Sequence, residues 1–293
     1  MILVTGATGM TGQFVVQELN RRNIPVRVLV REASADKVDS LEAEIVIGDL
    51  SDFASLHRAM SGVAGVAHVA CTFTDFAIDV GAMGVLLDNW QNGPFIFVSS
   101  LDVYGDTNSN PITENHPLSE SYGDYGRGKV LCERMLIAKA RATTRAGYSC
   151  LRAPHIIGPH PKGQRFIKKV NQEEAILLPG ADLDEWSHYR DAWIDVRDLA
   201  WVVAEVLEKP TGGPLNVLSD HFVWHDLYAE LIRLMGSSSQ VVHMPLDEID
   251  EKQWESLKTM AQRWYFDNSQ LKQALGFEPK YTLDQTLADT IRL

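Results

Sequence analysis

The chain has 293 residues, 45% of them hydrophobic and 23% charged, and its formal net charge at pH 7 is −12. This composition is typical of a globular protein, because it supplies enough apolar residues for a buried core. The negative charge argues against nucleic acid and anionic membranes as partners, since both bind to basic surfaces. No apolar run approaches membrane-spanning length and no basic targeting segment precedes residues 1–4, so we expect a cytoplasmic protein.

Apolar, β-branched runs alternate with helical patterns along the first half of the chain. Such alternation predicts βαβ units and a parallel sheet covered on both faces. The predicted strands are residues 2–4, 26–30, 44–47, 63–69, 95–98 and 148–152. The predicted helices between them are residues 13–21, 53–60, 80–90 and 126–146.

Glycine and proline interrupt the pattern after Pro154, where we expect a second lobe to begin. A helix at 196–208 and a strand at 215–218 resemble a return to the sheet. A helix at 224–234, a charged segment at 247–262 and a helix at 283–291 would then complete a cap. The expected fold class is therefore α/β, a doubly wound parallel sheet (Rossmann) with a small C-terminal α/β cap.

The first strand is followed by Gly6, Gly9 and Gly12, at three-residue spacing and just before a predicted helix. Glycines at such a loop let the backbone turn tightly and approach a pyrophosphate at the helix N-terminus. The spacing departs from Gly-x-Gly-x-x-Gly, so a tight turn without a ligand stays an alternative. The loop residues expected to bind a dinucleotide are Gly6, Thr8, Gly9, Met10, Thr11 and Gly12.

This interpretation divides the chain into two domains. Residues 1–153 and 191–220 would form the dinucleotide-binding Rossmann domain, and residues 154–190 and 221–293 the substrate-binding cap.

The residue at the end of the second strand usually selects the dinucleotide, an acid favouring NAD and an arginine NADP. Here Val30 is followed by Arg31, with Arg27 nearby, so NADP(H) is favoured over NAD(H). A solvated surface arginine is the alternative for either cation. After the third strand, Asp49 and Leu50 would lie near the adenine, although a helix-capping role for Asp49 or Asp52 competes.

A second group of polar residues follows the fifth strand. Tyr125 and Lys129 are four residues apart and so share one helix face, where the ammonium can lower the pKa of the phenol. We expect a proton donor near neutral pH, with Ser100 holding the substrate oxygen during hydride transfer. Neither the Tyr-x-x-x-Lys pair nor the Ser-Ser pair is strong evidence of catalysis alone, because the first often arises by chance and the second often caps a helix.

In order and spacing these motifs resemble the extended short-chain dehydrogenase/reductase family, the NAD(P)-dependent epimerase/dehydratase group. The matching segments are the glycine loop and residues 48–50, 68–70, 98–105, 111–114, 125–133, 151–159, 194–200 and 267–277. The resemblance implies that Ser100, Tyr125 and Lys129 are catalytic and that hydride passes between nicotinamide and a secondary alcohol or ketone. It also implies that the cofactor contacts Ala70, Tyr125, Lys129, Pro154 and Ile156.

Some positions depart from the family pattern. The family's sugar-nucleotide dehydratases carry two consecutive acids after the serine, whereas this chain has Leu101 and Asp102. Only Asp102 is left as an acid or base, and a solvated or capping carboxylate is the alternative. The stretch 71–78 is shorter than in many sugar-nucleotide epimerases, and Tyr104 and Tyr122 are expected to pack or to line the pocket. The Val-Arg pair at 30–31 resembles NADPH-using, dihydroflavonol-reductase-like members.

In the cap, Arg165 and Arg190 are candidates for binding a substrate diphosphate, and a solvated basic surface is the alternative. Cysteines and histidines lack metal-ligand spacing, so we expect reduced thiols and no metal. The leading hypothesis is a reductase or epimerase acting on a small carbonyl compound or a sugar nucleotide. The alternative is an NADP(H)-sensing regulatory protein without catalysis, and the sequence leaves open whether two copies form a homodimer.

Overall fold

The computed structural model of the chain describes residues 1–107, 109–121, 123–143, 147–172 and 175–292. Its strands are β1 (Ile2–Thr5), β2 (Val26–Val30), β3 (Ala43–Ile47), β4 (Gly65–His68), β5 (Phe95–Ser100), β6 (Tyr148–Ala153), β7 (His155–Ile157), β8 (Ile176–Pro179), β9 (Arg190–Asp195), β10 (Gly213–Asn216), β11 (Asp220–Val223) and β12 (Val241–Met244). Its α-helices are α1 (Met10–Arg21), α2 (Phe53–Met60), α3 (Phe76–Asn89), α4 (Gly123–Thr143), α5 (Arg165–Asn171), α6 (Leu183–Trp186), α7 (Val196–Glu208), α8 (Trp224–Met235), α9 (Glu251–Leu257), α10 (Ser269–Leu275) and α11 (Leu283–Ile291). Short 3-10 helices cover Glu32–Val38, Leu101–Tyr104, Pro161–Gln164, Leu246–Glu248 and Lys258–Ala261.

Across the described residues, seven strands form one sheet in the order β3-β2-β1-β4-β5-β6-β10, and every neighbouring pair is parallel. The strand order changes direction between β1 and β4. A crevice forms there because the connections leave toward opposite sides, and open α/β sheets bind ligands at the carboxyl ends of the strands at this point. The predicted doubly wound parallel sheet is confirmed.

Helices cover both faces of this sheet, because the central strands β1, β4 and β5 are buried at every residue. Ile96 and Val98 of β5 pack into the core beneath α1 and α7, whereas Phe95 and Phe97 pack into the core beneath α2, α3 and α4. Successive side chains of a strand point to opposite faces, so one strand supplies both cores. The β5 strand is buried over its whole length, which holds the residues at its end in a fixed position.

The cap is built on two small sheets and a third core. Strand β9 pairs in parallel with β7 and antiparallel with β11, and β12 pairs in parallel with β8. Phe166, Trp224 and Leu227 belong to the apolar core that joins α5 and α8 to these strands. No helix that the structure describes is both long and apolar enough to cross a membrane.

The elements of the sheet agree with the prediction, whereas most of the cap strands were not predicted. Helix α7 has the predicted bounds, and the predicted return to the sheet is β10, which pairs with β6 two residues earlier than expected. The short strands β7, β8, β11 and β12 were missed, because three or four residues carry too little periodicity. Strand β9 lies within the stretch 191–220 assigned to the Rossmann domain but pairs with β7 and β11. The domain boundaries stay a prediction, and residue 146, the predicted end of α4, lies outside the described residues.

Candidate active site

A cleft of about 950 Å³ lies at the carboxyl ends of the central strands, where the strand order changes direction. It runs from the glycine loop and the end of β2, past β4 and β5, to the cap. Nearly all the predicted cofactor, catalytic and substrate residues line it. These are Gly6, Thr8, Gly9, Met10, Thr11, Gly12, Arg31, Asp49, Leu50, Ala70, Ser100, Asp102, Tyr125, Pro154, Ile156 and Arg165.

The glycine loop forms a tight turn immediately before α1. Gly6 adopts a φ of +77°, and a β-carbon on Gly12 would lie 2.1 Å from the carbonyl oxygen of Gly6. The Gly6 carbonyl also accepts the Gly9 amide at 2.9 Å, which closes the turn. Gly9 caps α1 without a side-chain hydrogen bond, so the first N–H groups of the helix are left for an anion.

Thr5 and His68 fix the two strands that flank the crevice. The Thr5 hydroxyl bonds His68 Nδ1 at 2.8 Å and accepts the amides of Val69 and Ala70 at 3.2 Å. Burial, together with the charge of Lys129, lowers the pKa of His68 to about 3, so the imidazole is neutral. Sequence reasoning missed this pair, because its partners lie 63 residues apart.

Arg31 and Asp49 lie at the end of the cleft next to β2 and β3. Arg31 Nε lies 4.0 Å from Asp49 Oδ2, and 70% of the Arg31 side chain is exposed. Arg27 points elsewhere, to Glu44 and the carbonyl oxygen of Ala59. Hydrogen bonds from the Ser51 backbone and hydroxyl lower the pKa of Asp49.

The helix-capping alternative is resolved in favour of Asp52. Its side chain accepts the amides of Ala54 and Ser55 at the start of α2, at 3.1 and 3.3 Å. Asp49 is bonded to Ser51 instead and lines the cleft.

Ser100 and Tyr125 meet in the middle of the cleft. Ser100 ends β5, and its hydroxyl accepts the Asp102 amide at 3.2 Å, which begins the 3-10 helix Leu101–Tyr104. Burial raises the pKa of Tyr125, against the lowering effects of the Lys129 charge and of a hydrogen bond from Ser100. Lys129 was expected to bring the pKa of Tyr125 close to neutral pH. That expectation is wrong, because burial raises the pKa of the phenol more than the Lys129 ammonium lowers it.

Lys129 lies behind Tyr125 rather than in the main cleft. Its ammonium donates to the Val98 carbonyl at 2.8 Å and lies 5.5 Å from the centre of the Tyr125 ring. Burial acts to lower the pKa of Lys129, but the neighbouring Tyr125 and Cys71 outweigh it and the pKa is raised. The ammonium thus stays charged next to the phenol.

Sequence reasoning also missed the aromatic wall of the cleft. The Phe73 ring stacks on Tyr125, with centroids 5.3 Å apart, and Trp264 and Phe266 line the cleft from the C-terminal part of the chain. Phe73 is 71% exposed and adopts a φ of +63°, a backbone angle that residues with a β-carbon rarely adopt. Asp79 fixes this loop by accepting the amide and hydroxyl of Thr72.

Tyr104 takes the packed position, one of the two expected for it, whereas the candidate substrate residue Arg190 lies outside the cleft. The Tyr104 hydroxyl is buried and bonds Asn216 and Arg152, so Tyr104 packs rather than lining the cleft. Arg190 is not among the residues that line the cleft; its amide bonds the carbonyl of Gln262. Tyr122 lies outside the described residues.

Asp102 and Arg165 line the end of the cleft that faces the cap, together with His155 and Asp191. Burial raises the pKa of Asp102, although the charge of Arg165 opposes the shift. Among the described residues, no group of three or more histidine, cysteine, aspartate or glutamate side chains is arranged to hold a metal ion.

Comparison with known proteins agrees with this geometry. Cinnamoyl-CoA reductase 1 of Oryza sativa subsp. japonica is 28% identical over 95% of this chain and 86% of its own length. UDP-glucose 4-epimerase of Thermotoga maritima, solved with UDP-glucose, superposes with a TM-score of 0.82 at 22% identity, covering 99% of this chain and 97% of that one. The UDP-glucose 4-epimerase of Thermus thermophilus, solved in complex with NAD, has a TM-score of 0.80 at 20% identity, covering 99% of this chain and 97% of that one. At such identities the structural likeness shows the fold.

The model of the NAD dependent epimerase/dehydratase family matches residues 2–217. This range contains the glycine loop, the serine at the end of β5 and the tyrosine and lysine of α4. Because the match spans most of the chain, the chain belongs to the NAD-dependent epimerase/dehydratase family of nicotinamide-dependent oxidoreductases.

Proposed function

We propose that the protein is an NADP(H)-dependent carbonyl reductase, in which Ser100 and Tyr125 hold the carbonyl oxygen of a small molecule. The observation that carries this proposal is that both hydroxyl groups open into the same cleft as the glycine loop. The intact set of Ser100, Tyr125 and Lys129 favours an enzyme over the NADP(H)-sensing alternative, since a sensor needs no proton donor.

The residues around the cleft fit a nicotinamide dinucleotide. A β-carbon on Gly12 would fill the space between α1 and the loop, and Gly6 packs so closely on Ala70 that its β-carbon would lie 2.9 Å from the Ala70 backbone. The glycine loop would hold the pyrophosphate, Asp49 and Leu50 the adenine, and Pro154 and Ile156 the nicotinamide end. When bound, the cofactor supplies or accepts the hydride.

Arg31 supports a preference for NADP(H). Its guanidinium is exposed at the end of β2, and the 4.0 Å separation from Asp49 leaves its donors available to a phosphate. A guanidinium binds phosphate through charge-assisted hydrogen bonds, which an uncharged ribose hydroxyl cannot match.

The side chains divide the proton transfer between them. As the carbonyl carbon gains hydride, Tyr125 donates its phenolic proton to the oxygen, so that the ketone or aldehyde becomes an alcohol. Ser100 donates a hydrogen bond to the same oxygen and stabilises its developing charge. Lys129 stabilises the phenolate that remains, and a proton from solvent restores the phenol.

Oxidation of NADPH in the presence of a panel of ketones and aldehydes tests the proposal. We expect Tyr125→Phe to lower kcat/KM by about 10²- to 10⁴-fold, the contribution of a general acid, while NADPH affinity from tryptophan fluorescence is kept. Tyr265→Phe is the matched control, because Tyr265 is 49% exposed and does not line the cleft. An active Tyr125→Phe enzyme would contradict the assignment.

Coenzyme preference is tested with Arg31→Ala. We expect NADPH affinity to fall by about tenfold or more, since a hydrogen bond to a charged group contributes about 1.5–3 kcal/mol, and NADH affinity to stay unchanged. Arg233→Ala, on the exposed surface of α8, is the control. Equal losses for the two coenzymes would refute the role of Arg31.

A further inference from the structure

A chain of three polar residues crosses the end of the cleft that faces the cap. Arg165 donates to His155 Nδ1, and His155 Nε2 lies 2.9 Å from Asp191 Oδ2. A guanidinium has only donors, so Nδ1 must accept a hydrogen bond, and Nε2 must carry the hydrogen that it donates to the Asp191 carboxylate. The order Asp191–His155–Arg165 is therefore fixed by the hydrogen-bonding capacity of each group.

The first two members of this chain are rigidly held. Asp191 is 6% exposed, and its second oxygen accepts the Ala192 amide at 2.7 Å. The His155 ring packs against Phe166 and Trp224, with ring centroids 5.6 and 5.4 Å away. Both ring nitrogens of His155 are already bonded, so this histidine orients Arg165 and does not itself face a ligand.

Arg165 is the member that is available to a ligand. It lines the cleft at the first residue of α5, and its guanidinium lies 4.6 Å from the centre of the Phe166 ring. Within the part of the chain that the structure describes, the guanidinium makes no other hydrogen bond besides the one to His155. Since a guanidinium carries five N–H donors, most of them are unsatisfied by the protein.

The charges around Arg165 leave it incompletely neutralised. Burial lowers the pKa of Arg165, and the carboxylate of Asp191, the strongest opposing influence, does not compensate for it. Asp191 is committed to His155 and Ala192, and burial raises the pKa of Asp102, which favours its neutral form. Arg165 lines the same cleft as Ser100 and Tyr125, so a ligand in that cleft can contact all three side chains.

We propose that Arg165, held by His155 and Asp191, binds an oxyanion of the substrate close to the carbonyl carbon that Ser100 and Tyr125 hold. The inference rests on the proposed function and specifies its substrate class: a small oxo compound that carries a carboxylate or phosphate near the reacting carbon. A planar guanidinium recognises both groups with two parallel hydrogen bonds. His155 and Asp191 are positioning residues.

Matched pairs of probes that differ in the anion test this inference. Acetoacetate is compared with methyl acetoacetate for the carboxylate, and dihydroxyacetone phosphate with dihydroxyacetone for the phosphate. Binding is measured by tryptophan fluorescence on NADPH-saturated Tyr125→Phe protein, because Trp264 lines the cleft and Trp224 packs on His155. Turnover of the same probes is measured with the unmodified enzyme.

We expect at least one anionic probe to bind about tenfold or more tightly than its neutral partner, and Arg165→Gln to abolish this preference. Arg165→Lys should keep part of it, and His155→Gln should weaken the binding of the anionic probe more than that of its neutral partner. Arg233→Gln, a matched substitution at a cap arginine that is 68% exposed, should have no effect. The pair that shows the preference tells carboxylate from phosphate.

The outcomes separate this inference from the proposed function. Anion preference in binding without any turnover would refute the reductase and keep the Arg165 site. Turnover of neutral and anionic partners at equal kcat/KM, or equal or absent binding of both, would overturn the Arg165 site. Circular dichroism and NADPH affinity show whether Arg165→Gln folds. If it does not fold, the other two variants decide. The Arg165 site would be overturned if Arg165→Lys and His155→Gln both kept the full anion preference of the parent protein.

Discussion

The buried ion pair between Arg152 and Glu133 allows a quantitative prediction about stability. Glu133 is fully buried on α4 and Arg152 is 2% exposed on β6. Their closest approach is 2.7 Å, from Arg152 Nη2 to Glu133 Oε2, and Arg152 Nε bonds the same carboxylate at 3.1 Å. Arg152 also donates to the hydroxyl of Tyr104, which bonds Asn216 of β10. One carboxylate thus neutralises the cation that joins α4, β6 and β10.

Replacing Glu133 by glutamine keeps the volume of the side chain but leaves the arginine buried without a counter-charge. Removing one partner of a buried ion pair costs about 3–5 kcal/mol of unfolding free energy. A chain of 293 residues has an unfolding entropy of about 0.6 kcal/mol per kelvin, from about 2 cal/mol per kelvin per residue. The unfolding midpoint should therefore fall by about 5–8 °C.

The assay is thermal and urea unfolding followed by circular dichroism and tryptophan fluorescence. Glu255→Gln is the matched control, since its ion pair with Lys258 is exposed and should leave the midpoint nearly unchanged. Glu133→Leu combined with Arg152→Met should recover part of the loss, because no unpaired charge remains buried. A loss below about 1 kcal/mol in Glu133→Gln would show that the pair does not hold these elements together.

Three further predictions follow from the geometry. Gly12→Ala should lower NADPH affinity by about tenfold or more, because its β-carbon would lie 2.1 Å from the Gly6 carbonyl oxygen. Gly213→Ala is the control and should keep the affinity, because its β-carbon would have nothing within 4 Å. Equal NADPH affinities of the two variants would contradict the packing of the loop. Burial raises the pKa of Asp198 from 3.8 to about 6, so its contribution to stability is complete below pH 3.8 and is lost as the pH rises through 6. Asp198→Asn should accordingly flatten the fall in unfolding free energy between about pH 4 and 6, and an unchanged slope in urea titrations would argue against it. Cys71 lines the cleft, whereas Cys132 and Cys150 are buried. NADPH should therefore slow thiol labelling at Cys71, and the other two cysteines should be labelled only after unfolding. If mass spectrometry finds no protection of Cys71 by NADPH, the cofactor binds elsewhere.

The sequence by itself determined the sheet and the cofactor end of the cleft. Strand and helix periodicities are local, so β1 to β6 and α7 could be predicted from adjacent residues. Gly6 and Gly12 could be identified because a tight turn at a helix N-terminus excludes larger residues, and Tyr125 and Lys129 because four residues make one helical turn. The roles of these residues in binding and catalysis are proposals that rest on the cleft they share.

Only the tertiary structure shows how side chains are arranged at the end of the cleft that faces the cap. Up to 36 residues separate Asp191, His155 and Arg165 in the sequence. No local sequence pattern predicts that their side chains form one hydrogen-bonded chain. The same holds for Phe73, whose stacking on Tyr125 depends on how the loop held by Asp79 folds against α4. The balance of burial and charge that sets the pKa of Tyr125 is likewise a property of the packed protein. Contacts between distant segments depend on the packing of the whole chain, which sequence spacing does not encode.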